Sequence, residues 1–436
     1  MRRALRGAVL GFTGDPFLAD DPAATLRITE DALVVLEAGR IAEVLPFDPA
    51  RAEALEVTHY PDSLICPGFI DCHVHYPQIR MIGAHGAQLL DWLETYTFPA
   101  EQAFADPDEA VDAARVFLAE LLRNGTTTAA VYCTVHPQSV DAFFAESHRL
   151  NTRMIAGKVL MDRNAPPALL DTAESGYADS KALIGRWHGT GRQLYAITPR
   201  FAPTSTPAQL AAAARLWREH PGTYLQTHLS ENWAELAWVR ELFPEADNYL
   251  DVYHRAGLTG RRAIFGHAVH LDEAEFTCCH RTGSALAHCP TSNLFLGSGM
   301  FRLFTAKRRD RPVCVGLGSD LGAGTSFSSL RTLGEAYKVA QANNAALTAA
   351  HGFWLATAGA AEALDLGDTI GQVAPGFEAD LAVIDLRATP LLEYRMRHAR
   401  DWAERLFVLM TLGDDRAVRA TWVAGVPLHD RDRPAA

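Results

Sequence analysis

The chain reads as a (β/α)8 TIM-type barrel with a small β-sandwich domain built from its N- and C-terminal segments. Two observations predict it. From Leu64 onward short apolar runs alternate with helical patterns, giving eight strand-helix units in the length that such a barrel needs. Outside that stretch both ends carry short strands punctuated by turn residues, too little on either side to fold alone. The two ends are therefore expected to pair, with residues 1–63 plus 370–436 as the β domain and 64–369 as the barrel.

In chain order, Ala8–Phe12, Ala32–Glu37 and Arg40–Leu45 are apolar strand candidates, and Glu37-Ala38-Gly39 predicts a hairpin. The barrel strands are predicted at Leu64–Ile70, Thr126–Cys133, Arg153–Leu160, Leu194–Phe201, Tyr224–Leu229, Ala263–His267, Ala285–Cys289 and Val313–Leu317. Helical patterns between them include Pro107–Arg123, Pro137–Leu150, Pro207–His220 and Glu231–Leu242. Several open with Pro in the first turn or a polar residue just before it, as helix starts do. Helices at Ser328–Asn343 and Thr348–Leu364 follow, then strands at Leu381–Ile384, Val418–Val423 and Pro427–Leu428. An open doubly wound sheet is disfavoured, because no Gly-x-Gly-x-x-Gly follows any strand.

With 48% hydrophobic and 21% charged residues, the chain can build a sizeable core. Its 52 acidic and 40 basic residues leave a net charge of −12, which argues against a nucleic-acid partner and leaves small neutral or cationic ligands open. The apolar runs break well short of a bilayer span, so no membrane partner is expected. The N-terminal Met-Arg-Arg-Ala-Leu-Arg-Gly-Ala-Val-Leu reads as a first strand and not as a signal peptide. The seven cysteines are odd in number and scattered, with no Cys-x-x-Cys, and this fits a reducing cytoplasm.

The chemistry is expected at the carboxyl ends of the strands, where side chains from different strands converge. The first strand leads into His73 and His75, two residues apart and so on one side of an extended chain. Strand five ends in Thr-His228-Leu-Ser-Glu231, strand six in Gly-His267 and strand eight in Gly-Ser-Asp320. Taken singly, each histidine reads as structural. Three of these imidazoles and the Asp320 carboxylate would give four ligands around one point, a donor set for a divalent transition metal, zinc above all. Glu231, where strand turns into helix, suits a proton shuttle, although a first-turn Glu can also simply favour the helix dipole.

At these residues the chain resembles the amidohydrolase superfamily over nearly its whole length, through Pro67-Gly-Phe-Ile-Asp-Cys-His-Val-His75 and Pro375-Gly-Phe-Glu-Ala-Asp380. Within it, the chain is similar to the branch that deaminates guanine, through the blocks at 89–101, 157–162, 197–201, 226–232, 287–293 and 316–320. The resemblance implies one zinc per chain, a small-molecule purine substrate, and hydrolytic deamination of guanine to xanthine and ammonia in purine catabolism. A cytoplasmic homodimer is the family expectation. It implies zinc ligation by His73, His75, His228 and Asp320, with His267 as a catalytic histidine beside them. Gln78, Arg200 and Phe201 match positions that hold the purine, where Trp92, His228, Glu231 and Asp320 also belong. Asp320 is expected to accept the water proton and Glu231 to protonate a ring nitrogen, while Trp92 and Phe98 close the pocket. One departure is Ala202-Pro203-Thr204, where the family is often more polar.

Binuclear relatives bridge two metals with a carboxylated lysine at the end of strand four. Here that strand ends in Pro199-Arg200-Phe201, and Lys158 lies within strand three, so a mononuclear site is expected. His270 is placed in a loop, and His288 is given a structural or supporting role. The rival readings are a deaminase of another amino-heterocycle (cytosine, a triazine or S-adenosylhomocysteine) and a non-enzymatic interaction protein. The second should have lost ligands, and none is missing here.

Overall fold

A computed structural model describes residues 2–86 and 88–433. Its strands begin with β1 (Arg3–Phe12), β2 (Leu26–Glu37), β3 (Arg40–Pro46) and β4 (Glu56–Pro67). Next come β5 (Phe69–His75), β6 (Thr126–Tyr132), β7 (Arg153–Gly157), β8 (Val159–Leu160), β9 (Leu194–Pro199), β10 (Tyr224–Leu229), β11 (Ala263–His267), β12 (Ala285–His288) and β13 (Val315–Leu317). The last are β14 (Leu381–Asp385), β15 (Val418–Val423) and β16 (Val426–Asp430). By internal compactness the chain divides into two units: Met1–Asp71 with Ala119–Thr128 and Ser326–Ala436, and Cys72–Leu118 with Ala129–Thr325.

The two chain ends do pair. A seven-stranded sheet runs β16-β15-β14-β4-β1-β2-β3, antiparallel except where β1 lies parallel to β4. Leu5, Val9, Val34, Leu36, Ile65, Leu381, Val383 and Trp422 fill one of its cores. The expected hairpin forms at Ala38-Gly39, both with positive φ (50° and 80°), the pattern whose twist matches the flanking strands.

The second sheet is the barrel, in the order β13-β12-β11-β10-β9-β7-β6-β5, with β8 continuing beside β9. Its strands are buried almost throughout, which is why they read as continuous apolar runs. The Asp320 amide donates to the His73 carbonyl at 2.8 Å and so draws the end of the last strand onto the first.

Three elements differ from the sequence expectation. The run Leu64–Ile70 is not one barrel strand: Leu64–Pro67 pairs with β14 in the terminal sheet, and the barrel strand starts only at Phe69. Both pieces are buried, so nothing but Pro67-Gly68 marks the change, and His73 and His75 lie within a strand instead of after it. Arg153–Leu160 breaks at Lys158 into β7 and β8. The helix expected over Thr348–Leu364 breaks at Thr357, whose hydroxyl donates back to the Phe353 carbonyl at 2.5 Å, a local bond that competes with the helix ladder.

Among the described residues no helix is long and apolar enough to cross a membrane. None of the seven cysteines forms a disulfide, and Cys314 is exposed despite its apolar neighbours.

Candidate active site

Every predicted site residue falls in the second unit, and all line or floor one cavity except His73, which lies directly beneath. β5 brings in His73 and His75, β10 His228, β11 His267, and the turn after β13 Asp320. His75 Nε2 lies 3.1 Å from His228 Nε2 and 3.3 Å from Asp320 Oδ1, and His73 Nε2 lies 3.4 Å from the same oxygen. Three things allow this crowding. Tyr132 packs against His73, His75 and His228 with ring centroids 4.8, 4.5 and 4.8 Å away. Gly266 leaves the space for His73, since a Cβ there would come within 2.5 Å of the ring. His267 and Asp320 take left-handed backbone (φ 69° and 46°), which side chains other than glycine adopt only where the surroundings hold them to it.

The neighbours also fix the tautomers. His228 Nδ1 sits 2.7 Å from the Arg200 carbonyl, which can only accept, so Nδ1 carries the proton and Nε2 presents its lone pair to the cluster. His267 Nδ1 lies 2.9 Å from Asn293 Oδ1 and is held in the same sense. Burial pushes His73 down, and pushes His75 and His228 well down, so these three rings are neutral. Burial opposes ionisation of Asp320, but the His73 hydrogen bond and the charge of His267 outweigh it and hold the carboxyl well below the usual range.

This set fits a divalent cation. Two buried Nε2 atoms face each other at 3.1 Å while one of them is a lone pair, and an ionised carboxylate oxygen lies beside them. The donor atoms of His73, His75 and His228 all lie within 4.8 Å of one another, as do those of His73, His267 and Asp320. Neutral imidazoles with one carboxylate are ligands for a transition metal and not for calcium or magnesium.

Glu231 lies outside the following helix. Asn232 caps the helix Trp233–Leu242, and Glu235 closes its capping box while also accepting the Glu231 amide at 2.9 Å. The first-turn role thus belongs to Glu235, leaving Glu231 aimed into the cavity. Burial pushes the Glu231 carboxyl up to about 7. Its Oε2 lies 3.5 Å from His267 Nε2, and Ser298 Oγ donates to its Oε1 at 3.2 Å. Burial lowers the His267 imidazole, yet the Glu231 and Asp320 carboxylates raise it overall.

The wall facing the cluster holds Gln78, Trp92, Arg200 and Phe201, all buried. Gln78 comes from the turn Tyr76–Met81; a Cβ on Gly322 would meet its Oε1 at 2.1 Å. Leu89, Leu93, Leu296 and Ala323 complete an apolar lining. Phe98 does not line the cavity. It packs in the cluster behind Trp92 and Phe201, with the Arg200 guanidinium 5.8 Å from its ring centre.

Sequence reasoning missed Glu101, Asn293, Ser298, Glu235 and Tyr253. Glu101 and Asn293 stand inside blocks that carried the resemblance, though no local spacing gives them a role. Lys158 is away from the cavity, buried and bonded to Asp171 at 2.5 Å. His270 lies in a loop and its Nε2 donates to the Ser298 carbonyl at 2.8 Å, and His288 is buried against Phe301, pushed down to about 3 by that burial.

Comparison with known proteins agrees with the geometry. The model of the amidohydrolase family matches residues 64–428. The guanine deaminase of Escherichia coli (strain K12) is 49% identical over 433 residues, spanning 99% of this chain and 98% of that protein. The solved structure of E. coli guanine deaminase gives a TM-score of 0.95 at 50% identity, over 98% of this chain and 100% of that one. A guanine deaminase from C. acetobutylicum with guanine bound in the active site gives 0.88 at 27% identity, over 98% and 100%. An adenosine deaminase from Xanthomonas campestris with bound zinc gives 0.83 at 26%, over 97% and 92%. The chain belongs to the amidohydrolase family, among its guanine deaminases.

Proposed function

We propose that this chain deaminates guanine with water to give xanthine and ammonia. The observation that carries the reading is one cavity with a His/Asp cluster on its floor and the buried Gln78, Arg200 and Phe201 on its wall. His73, His75, His228 and Asp320 would hold a single zinc ion. Bound there, zinc would supply a Lewis acid that lowers the pKa of water toward neutrality.

The protein does the rest. Phe201 offers a face to the planar ring, Gln78 reaches a ring edge, and the Arg200 fork holds the carbonyl oxygen. Asp320 takes the proton of the attacking water. Glu231, poised near neutral pH, delivers a proton to the ring nitrogen beside the amino-bearing carbon as the carbon–oxygen bond forms. His267, its Nε2 3.5 Å from Glu231 and 3.9 Å from Asp320, balances charge between the two carboxylates as protons move. The proton held by Asp320 passes to the amino group, the carbon–nitrogen bond breaks and ammonia leaves, while the hydroxyl proton returns to Glu231 as the new carbonyl forms. Trp92 and the leucines around it exclude bulk water.

A cytoplasmic homodimer acting in purine catabolism completes the proposal, supported by the family resemblance. Reaction in ¹⁸O-labelled water should give xanthine carrying one labelled oxygen and an equal amount of ammonia. Guanine recovered unchanged after incubation with zinc-loaded protein would overturn the reading.

A further inference from the structure

Arg200 does not enter the cavity as a free cation. Its Nη1 lies 2.8 Å from both carboxylate oxygens of Glu101, and the pair is sealed from water, with Arg200 2% and Glu101 0% exposed. Glu101 comes from the short helix Phe98–Gln102, which follows a π-helical turn over Leu93–Thr97. The same segment supplies Trp92 and Leu93 to the cavity wall. Glu101 engages a single nitrogen of a fork that has five N–H donors, so the guanidinium is anchored at one corner while its side faces the cavity.

We propose that Glu101 sets the charge preference of the pocket: its pairing with Arg200 makes the site select neutral purines and refuse anionic ones. The inference rests on the guanine reading above and deepens it. A buried guanidinium without a counter-ion is a strong anion site, because charge interactions are weakly screened away from water. With Glu101 in place the pair is neutral, and Arg200 acts through directed hydrogen bonds to a carbonyl oxygen. Guanine is neutral at physiological pH, whereas xanthine loses a proton more readily. A pocket that refuses anions therefore favours substrate over the ionised product and helps the product leave. Glu101 is a positioning residue in this account and touches no reacting atom.

The test is calorimetric binding of urate, an anion at neutral pH, and hypoxanthine, a neutral lactam, to the zinc-loaded protein. The ratio of the two Kd values should shift toward urate by about tenfold or more in Glu101→Gln, the scale of a charged hydrogen bond. The KM for guanine should rise more than kcat falls. Because removing one partner of a buried pair can prevent folding, Glu101→Ala prepared in acetate provides a second arm. Acetate should restore the guanine KM, and acetamide, its neutral isostere, should not. An unchanged urate-to-hypoxanthine ratio in folded Glu101→Gln, or no rescue by acetate, overturns the inference. Wild-type protein that binds both ligands but leaves guanine untouched overturns the guanine reading instead, so the two failures are distinct.

Discussion

The Tyr253 hydroxyl donates to the His228 carbonyl at 2.9 Å. The Tyr253 hydroxyl oxygen in turn accepts from the Ala202 amide at 2.9 Å and the Thr227 hydroxyl at 3.1 Å. One phenol thus ties the segment just after β9, where Arg200 and Phe201 lie, to the end of β10, which carries His228. Removing it in Tyr253→Phe leaves a buried carbonyl and a buried amide without their partner, at a cost of about 1–3 kcal/mol. Guanine turnover should fall about 10–100-fold, the usual effect of losing a group that orients a ligand. Steady-state kinetics together with elemental analysis checks this, and turnover within twofold of wild type contradicts it.

Glu231 can be separated from the cluster because it accepts from Ser298 and holds no position among the converging ring nitrogens. Glu231→Gln should keep its zinc while kcat drops by about 10²–10⁴. Loss of zinc in this variant would mean that Glu231 belongs to the ligand set.

Gly322, with φ of +124°, lies where any side chain would strike Gln78. Gly322→Ala should cost about 1–3 kcal/mol from backbone strain and displace the Gln78 amide proposed to hold the purine edge. The expected signature is a higher KM for guanine with a smaller change in kcat, matched by Gln78→Ala. If Gly322→Ala and Gln78→Ala give opposite KM shifts, the contact has been misassigned.

Outside the cavity, Glu275 predicts a pH effect on stability. Burial pushes its carboxyl up to about 7 from an ordinary 4.5, against the pull of the Asp272 and Leu250 amides that it accepts. Between those values the folded chain holds a proton that the unfolded chain has lost. The contribution is therefore full below about 4.5 and disappears as pH rises through about 7, a swing on the order of 3 kcal/mol at most. Glu275→Gln has no such titration. Melting curves at pH 5 and pH 8 should show wild type losing stability relative to the variant at the higher pH, and a gap independent of pH would refute the assignment.

The barrel was legible because strands buried on both faces read as uninterrupted apolar runs, and because histidines at their ends stand out against such runs. The same continuity hid the passage from β4 to β5 at Gly68, where two buried strands of different sheets share one apolar stretch. Glu101, Glu235 and Tyr253 were not legible as functional. They sit in helices with ordinary polar spacing, and Glu101 meets Arg200 from 99 residues away, so nothing in the local pattern marks the pair. Glu231 was legible as a site carboxylate, but its separation from the helix cap appeared only once Glu235 was seen closing the capping box.

The central claim is that this cavity deaminates guanine because Arg200 grips a carbonyl oxygen. Ammonia release from guanine, adenine, cytosine and a triazine, measured side by side for wild type and Arg200→Ala, tests it most directly. Adenine presents an amino group where guanine has its carbonyl, and a site built to hydrogen-bond one group rejects analogues lacking it by about 10⁴–10⁵. Wild type should therefore turn over guanine and leave the other three behind by a margin of that order, and Arg200→Ala should lose most of its guanine activity. Comparable turnover of adenine or cytosine, or guanine turnover untouched in Arg200→Ala, would contradict the account.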